Sequence, residues 1–121
     1  MRIAVTSTGP SLDSEIDPRF GRCRYILFID TDTMETEAEE NTSGMSGGGA
    51  GVATGNMVAA KGVQAVLTGN CGPNAHQVLS AAGIQIITGV SGKVRDVVQE
   101  YKAGRYQASS QPNVAPHHCL K

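Results

Sequence analysis

Gln64-Ala65-Val66-Leu67-Thr68-Gly69-Asn70-Cys71-Gly72-Pro73-Asn74-Ala75 is the stretch on which the fold turns. An apolar run ends in a glycine-rich turn, and Pro73 then stands near the first helical position, where a missing N–H costs nothing. The pattern predicts a strand over 64–68 and a helix over 74–82 that Gly83 stops. A strand over 84–88 follows, then the turn Gly89-Val90-Ser91-Gly92 and a last helix over 93–102. That helix buries Val94, Val97, Val98 and Tyr101, and Gly104 ends it. Strands and helices that alternate through short links imply parallel pairing.

The first half reads differently. Ile3-Ala4-Val5 is a buried strand closed by the breakers Thr6-Ser7-Thr8-Gly9-Pro10, and a loop through Asp13, Glu15, Asp17 and Pro18 leads to a second strand over 25–30. A turn near Asp32-Thr33 and an acidic edge strand over 35–40 complete an antiparallel hairpin. The segment Ser43-Gly44-Met45-Ser46-Gly47-Gly48-Gly49-Ala50-Gly51 is expected to be mobile unless a ligand orders it. A small-residue helix over 52–61 follows, with Gly62 at its C′ position. The expectation is one α/β domain over 1–105, a five-stranded mixed sheet with flanking helices, and a tail over 106–121. Ligands of such sheets sit beyond the carboxyl ends of the parallel strands. Ser7-Thr8-Gly9, Gly69–Asn74 and Gly89–Lys93 should meet there, with the glycine segment opening toward the same edge.

Composition narrows the function. The 121 residues suffice for a core without disulfide staples, and three cysteines at 23, 71 and 119 are no disulfide framework. A net charge of −1, 4% aromatic residues and no Trp argue against nucleic acid as a partner. The chain enters a strand at once, which predicts no secretory leader. No apolar run approaches the roughly 20 residues of a membrane span. A reduced, cytoplasmic setting is the expectation.

Cys71 is the first candidate for chemistry. A thiol in a turn at a helix start is expected to have a lowered pKa, and it reads either as a thiolate ligand or soft neighbour of a metal cluster, or as a small residue tolerated in a tight turn. Cys23 reads first as a core residue. Arg19, Arg22 and Arg24 form a local cationic cluster that suits an anion, unless Asp13, Glu15 and Asp17 neutralise it. His76, in the first turn of the second helix, is a metal candidate or an exposed or capping residue, and His117-His118-Cys119 is a soft-ligand set in the tail. The chain has no phosphate-binding Gly-x-x-x-x-Gly-Lys loop, no dinucleotide fingerprint and no Cys-x-x-Cys.

Together, Ile3-Ala4-Val5, Asp17-Pro18-Arg19-Phe20-Gly21-Arg22, the glycine segment, Val66–Ala75 and Ala82-Gly83-Ile84 resemble the dinitrogenase iron–molybdenum cofactor biosynthesis family over roughly residues 1–105. The resemblance implies a ribonuclease H-like fold and a carrier, without turnover, of an anionic metal–sulfur cluster of molybdenum, iron or copper type, or of its precursor. Arg19 stands where nitrogen-fixation members often carry His, which removes an imidazole ligand and points toward molybdenum–copper cargo. The implied cradle takes backbone donors from Ser7, Thr8, Gly9, Gly69, Asn70, Gly72 and Asn74 and positive charge from Arg19 and Arg22, with Cys71, Cys23 and His76 as candidate metal ligands. A protein partner in cluster delivery is also implied. The rivals are an interaction module of a metal-cluster or ATPase system that binds no metal, and an enzyme on a small anionic substrate. An active nuclease is disfavoured, because Ile3–Val5 and Val66–Leu67 carry no carboxylates for two divalent ions.

Overall fold

The computed structural model describes residues 1–41 and 50–106. Five strands and three helices follow in the order β1 (Arg2–Ser7), β2 (Tyr25–Asp30), β3 (Thr36–Glu40), α1 (Ala50–Ala60), β4 (Ala65–Leu67), α2 (Pro73–Ala81), β5 (Gln85–Ile87) and α3 (Val94–Lys102). The sheet order is β3-β2-β1-β4-β5. The β1, β2 and β3 strands form an antiparallel meander, with Val5 opposite Leu27 and Leu27 opposite Ala38, whereas β1, β4 and β5 run parallel, with Val5 beside Leu67 and Leu67 beside Ile87. This is the five-stranded mixed sheet that the sequence pattern predicted, in keeping with the ribonuclease H-like fold that the resemblance implied. Boundaries move by one or two residues: α1 begins at Ala50 rather than 52, and α2 at Pro73 rather than 74.

Side chains alternate across the sheet, and each face carries its own apolar layer. Ala4, Ile26, Phe28, Val66 and Ile86 pack with Val58 of α1 and with Ala75 and Leu79 of α2. On the opposite face Ile3, Val5, Leu27, Ile29, Leu67 and Ile87 pack with Val94, Val97 and Val98 of α3 and with Ile16 of the first loop. Two parallel crossovers need helices, and α1 and α2 supply them side by side on the first face. Their contact is close because α1 is built of small residues. A β-carbon placed on Gly55 would stand 3.0 Å from Val78 Cγ1.

Of the glycine segment 43–51 expected to be mobile, Ala50 and Gly51 open α1 instead, while 43–49, the tail from 107 onward and the His117-His118-Cys119 set lie outside the described residues. Among the described residues no helix is long and apolar enough to cross a membrane.

Candidate functional site

Three pieces of chain converge beyond the carboxyl ends of β1 and β4. The first is the turn Asp17–Arg24. Asp17 is 2% exposed. Its N–H donates to the Thr6 carbonyl at 3.0 Å, and Thr6 Oγ1, 2.8 Å from Thr68 Oγ1, donates to the Asp17 carbonyl at 2.7 Å. The turn is thereby stitched to the ends of β1 and β4. The second piece is the loop Thr68–Gly72. Asn70 N–H donates to the Pro18 carbonyl at 2.7 Å and Phe20 N–H returns to the Asn70 carbonyl at 3.1 Å, a short parallel bridge that sets Arg19 beside Asn70. The bridge demands close approach, and Gly69 permits it. A β-carbon there would fall 2.7 Å from Pro18 Cα.

The third piece is the paired start of α1 and α2. A β-carbon on Gly51 would sit 3.5 Å from Ala75 Cβ, so the first turns of the two helices touch. Thr54 Oγ1 of α1 donates to the Gly21 carbonyl at 3.2 Å, which brings the arginine turn against the same helix start. Helix N-termini carry N–H groups without intrahelical partners and a partial positive charge. Gly72 caps α2 without any side-chain hydrogen bond, and Pro73, the first helical residue, has no N–H to satisfy. Asn74 and Pro73 are exposed, and so are Arg19, Arg22 and Arg24. The place collects donors and positive charge.

The arginines are less neutralised than local sequence allowed. Asp17 alone of the three nearby acids holds one of them, accepting Arg19 Nε at 3.4 Å. Asp13 pairs instead with Arg95 of α3 at 3.0 Å. Arg19 keeps its side chain 64% exposed.

The other predicted walls behave differently. Ser7 is buried and its hydroxyl donates to the Gly9 carbonyl at 2.7 Å, while Gly9 N–H donates back to that hydroxyl at 3.2 Å. Thr8 spends both its N–H and its hydroxyl on the Glu15 carbonyl, at 2.9 and 3.2 Å. The start of α3 is likewise engaged: Val94 N–H meets the Ser14 carbonyl and Arg95 N–H the Leu12 carbonyl, both at 2.9 Å. The first loop therefore caps α3. Gly89 N–H reaches the Gly69 carbonyl at 2.8 Å and supports the second loop from behind.

Cys71 does not have the lowered pKa that its place in the turn suggested. Cys71 is fully buried, and desolvation pushes it up to about 11. The residue belongs to the apolar layer beneath α1 and α2, and its sulfur lies 3.8 Å from the Gly72 carbonyl. Cys23 shares that layer. Burial and the nearby Asp17 charge push it up to about 12, and its Sγ donates to the Phe20 carbonyl at 3.1 Å. The core reading of Cys23 holds. His76 is neither exposed nor a cap: it is 8% exposed, its Nδ1 lies 3.2 Å from Ser80 Oγ, and its buried Nε2 has no partner among the described residues. Among the described residues no three His, Cys, Asp or Glu side chains gather as a cation site.

Sequence reasoning missed Asp17, Asn41 and Thr54 as organisers. Asp17 was legible as an Asp-Pro turn former. Asn41 and Thr54 gave no signal, because their partners are main-chain carbonyls far along the chain. Asn41 Nδ2 donates to the Cys23 carbonyl at 2.9 Å and to the Gly21 carbonyl at 3.3 Å.

With this geometry in place, the comparisons with known proteins are specific. The family model described as dinitrogenase iron-molybdenum cofactor matches residues 1–104. The apo form of the orange protein from Desulfovibrio gigas is 40% identical and superimposes with a TM-score of 0.90 over 93% of this chain and 96% of that one. A Thermotoga protein whose solution structure was described as that of a NifB candidate is 31% identical, with a TM-score of 0.77 over 88% of this chain and 91% of that one. An uncharacterised protein of Methanocaldococcus jannaschii is 26% identical over 110 residues, 88% of this chain and 90% of that one.

Proposed function

The chain belongs to the dinitrogenase iron-molybdenum cofactor family, and from that premise we propose that it carries an anionic metal–sulfur cluster of molybdenum, iron or copper type, or a precursor of one, without turnover. The observation that carries this reading is the meeting of the α1 and α2 starts with the Arg19–Arg22 turn. Backbone N–H groups and guanidinium forks are hydrogen-bond donors. They suit terminal sulfides or oxo groups, which accept, and they offer nothing to a bare cation.

The donor set selects the kind of cargo. With Cys71 and Cys23 buried and held protonated, the exposed groups at this end supply hydrogen bonds and charge rather than thiolates. A cluster that brings its own sulfur ligands fits such a surface. Arg19 in place of an imidazole favours molybdenum–copper cargo over the nitrogenase cofactor itself, as the family resemblance implies. Binding needs no bond making, so the reading includes no catalytic residue. The carrier is proposed to act in the cytoplasm and to hand its cargo to a protein partner.

The test is anaerobic reconstitution of the full chain with tetrathiomolybdate and copper(I), followed by gel filtration, elemental analysis and visible spectroscopy. Co-eluting metal with a charge-transfer band supports the carrier. A chain that emerges free of metal and colour overturns it and returns the interaction-module reading.

A further inference from the structure

We propose that Asp17 is a positioning residue for the anion site, and that it holds the Arg19 guanidinium so that its terminal amino groups face the cargo. This rests on the carrier reading above.

The side chain of Asp17 is 3% exposed, and a buried carboxylate needs compensation. It finds three donors. Oδ1 accepts the Arg19 N–H at 3.1 Å and Arg19 Nε at 3.4 Å, and Oδ2 accepts the Arg24 N–H at 3.2 Å. Two of these fix the path of the arginine turn, and the third fixes the direction of one guanidinium. Engagement through Nε, the inner nitrogen, leaves the outer pair to point away from Asp17 in the geometry that meets an anion two-pronged. The main chain of Asp17 is in turn tied to β1 through the Thr6 carbonyl and hydroxyl, which fixes the point from which the carboxylate reaches. The brace therefore runs from β1 through Asp17 to Arg19, which lies beside Asn70 at the mouth of the site.

The sign of one substitution separates positioning from bulk electrostatics. Asp17 is a negative charge next to a site for anions. Its neutralisation alone would tighten binding, whereas loss of its grip on Arg19 weakens it. Affinity for tetrathiomolybdate is to be titrated anaerobically on the full chain and on the variants Asp17→Asn, Arg19→Gln, the double variant and Arg19→Lys. Asp17→Asn is expected to weaken binding about tenfold in the native background and to leave it unchanged or tighter when Arg19 is already Gln. Equal weakening in both backgrounds, or tighter binding in the native one, overturns the proposal. Arg19→Lys keeps the charge and every native contact of Asp17 with main-chain N–H groups, so it tests the fork without disturbing the turn. It is expected to weaken binding severalfold, and native affinity there also overturns the proposal.

The brace is read without cargo by the nitrogen NMR resonance of Arg19 Nε, expected to be shifted in the native chain and to collapse to the free-guanidinium position in Asp17→Asn. An unshifted native resonance overturns the positioning role. A chain that binds no tetrathiomolybdate while this resonance responds sinks the carrier reading and upholds the Asp17–Arg19 brace.

Discussion

Gly69 and Pro18 are in main-chain contact: a β-carbon on Gly69 would lie 2.7 Å from Pro18 Cα and 3.1 Å from its carbonyl oxygen. Nothing flexible can yield there, since two of the three close atoms belong to backbone and the third is the Cβ of the proline ring. The contact is what lets Asn70 and Phe20 exchange hydrogen bonds with the facing loop. Two distant segments thus become one wall.

Gly69→Ala should therefore destabilise the chain by about 1–3 kcal/mol, the usual cost of overpacking. Gly72→Ala is the control. A β-carbon there meets nothing within 4 Å, and the φ of −72° suits any residue. Its cost should stay below about 1 kcal/mol, the loss of a modest N-cap. Denaturant unfolding of both variants checks the order. Equal losses would show that the Gly69–Pro18 contact has room to relax.

The thiols set the alkaline limit of stability. In the unfolded chain they titrate near 9.0, and in the folded chain burial raises Cys71 to about 11 and Cys23 to about 12. Below about pH 9 both states keep these protons and the thiols add no pH dependence. Above it the unfolded state releases them first, so stability falls with a slope of about 1 kcal/mol per pH unit for each thiol. The slope lasts to about 11 for Cys71 and about 12 for Cys23. Denaturant unfolding at about pH 8 and pH 10.5 should show the native chain losing more stability than Cys71→Ala does. The tyrosines are common to both chains and cancel in the comparison. Parallel losses would mean that Cys71 titrates in the fold as it does in solvent.

What was legible in the sequence follows from how far each interaction reaches. The β4–α2 unit was readable because its signals are local: an apolar run, Pro73 at the helix start and Gly83, with φ of +76°, at its end. The site was readable as a loop edge for the same reason. The direction of Cys71 was not. Its turn turns the sulfur inward because α1 and α2 close over it, and α1 lies in a separate stretch of sequence. Ser7, Thr8 and Gly9 were readable as a turn, but not as one that consumes its own donors with the help of Glu15. Asp13 sits near three arginines in sequence and pairs with a fourth, Arg95, 82 residues away.

The Asn41–Thr54 pair is the clearest of the long-range organisers. Both are buried, Thr54 Oγ1 lies 3.3 Å from Asn41 Oδ1, and both donate to the Gly21 carbonyl. Thr54→Val keeps the shape and removes the hydroxyl, for an expected loss of about 1–2 kcal/mol. Asn41→Ala leaves the Cys23 and Gly21 carbonyls short of a donor and should cost about 2–3 kcal/mol. Because they share a partner, the double variant should lose less than the sum of the two. Additive losses in thermal or denaturant unfolding would mean that the two act independently.

Salt and pH together identify the groups that hold the cargo. A guanidinium stays charged across the usable pH range, and the two buried thiols stay protonated up to strongly alkaline pH. Tetrathiomolybdate affinity should therefore be flat between about pH 6.5 and 9. Arg19 is 64% exposed, so its attraction is open to screening. Affinity should fall severalfold as ionic strength rises from about 0.1 M to 1 M, where the Debye length shrinks from about 10 Å to about 3 Å. Thiolate ligation makes the opposite forecast on both axes. Its affinity would climb as the pH approaches a thiol pKa, and it would resist salt because the bond is short and desolvated. A titration that rises above about pH 8 and ignores salt would replace the arginine cradle with a cysteine site.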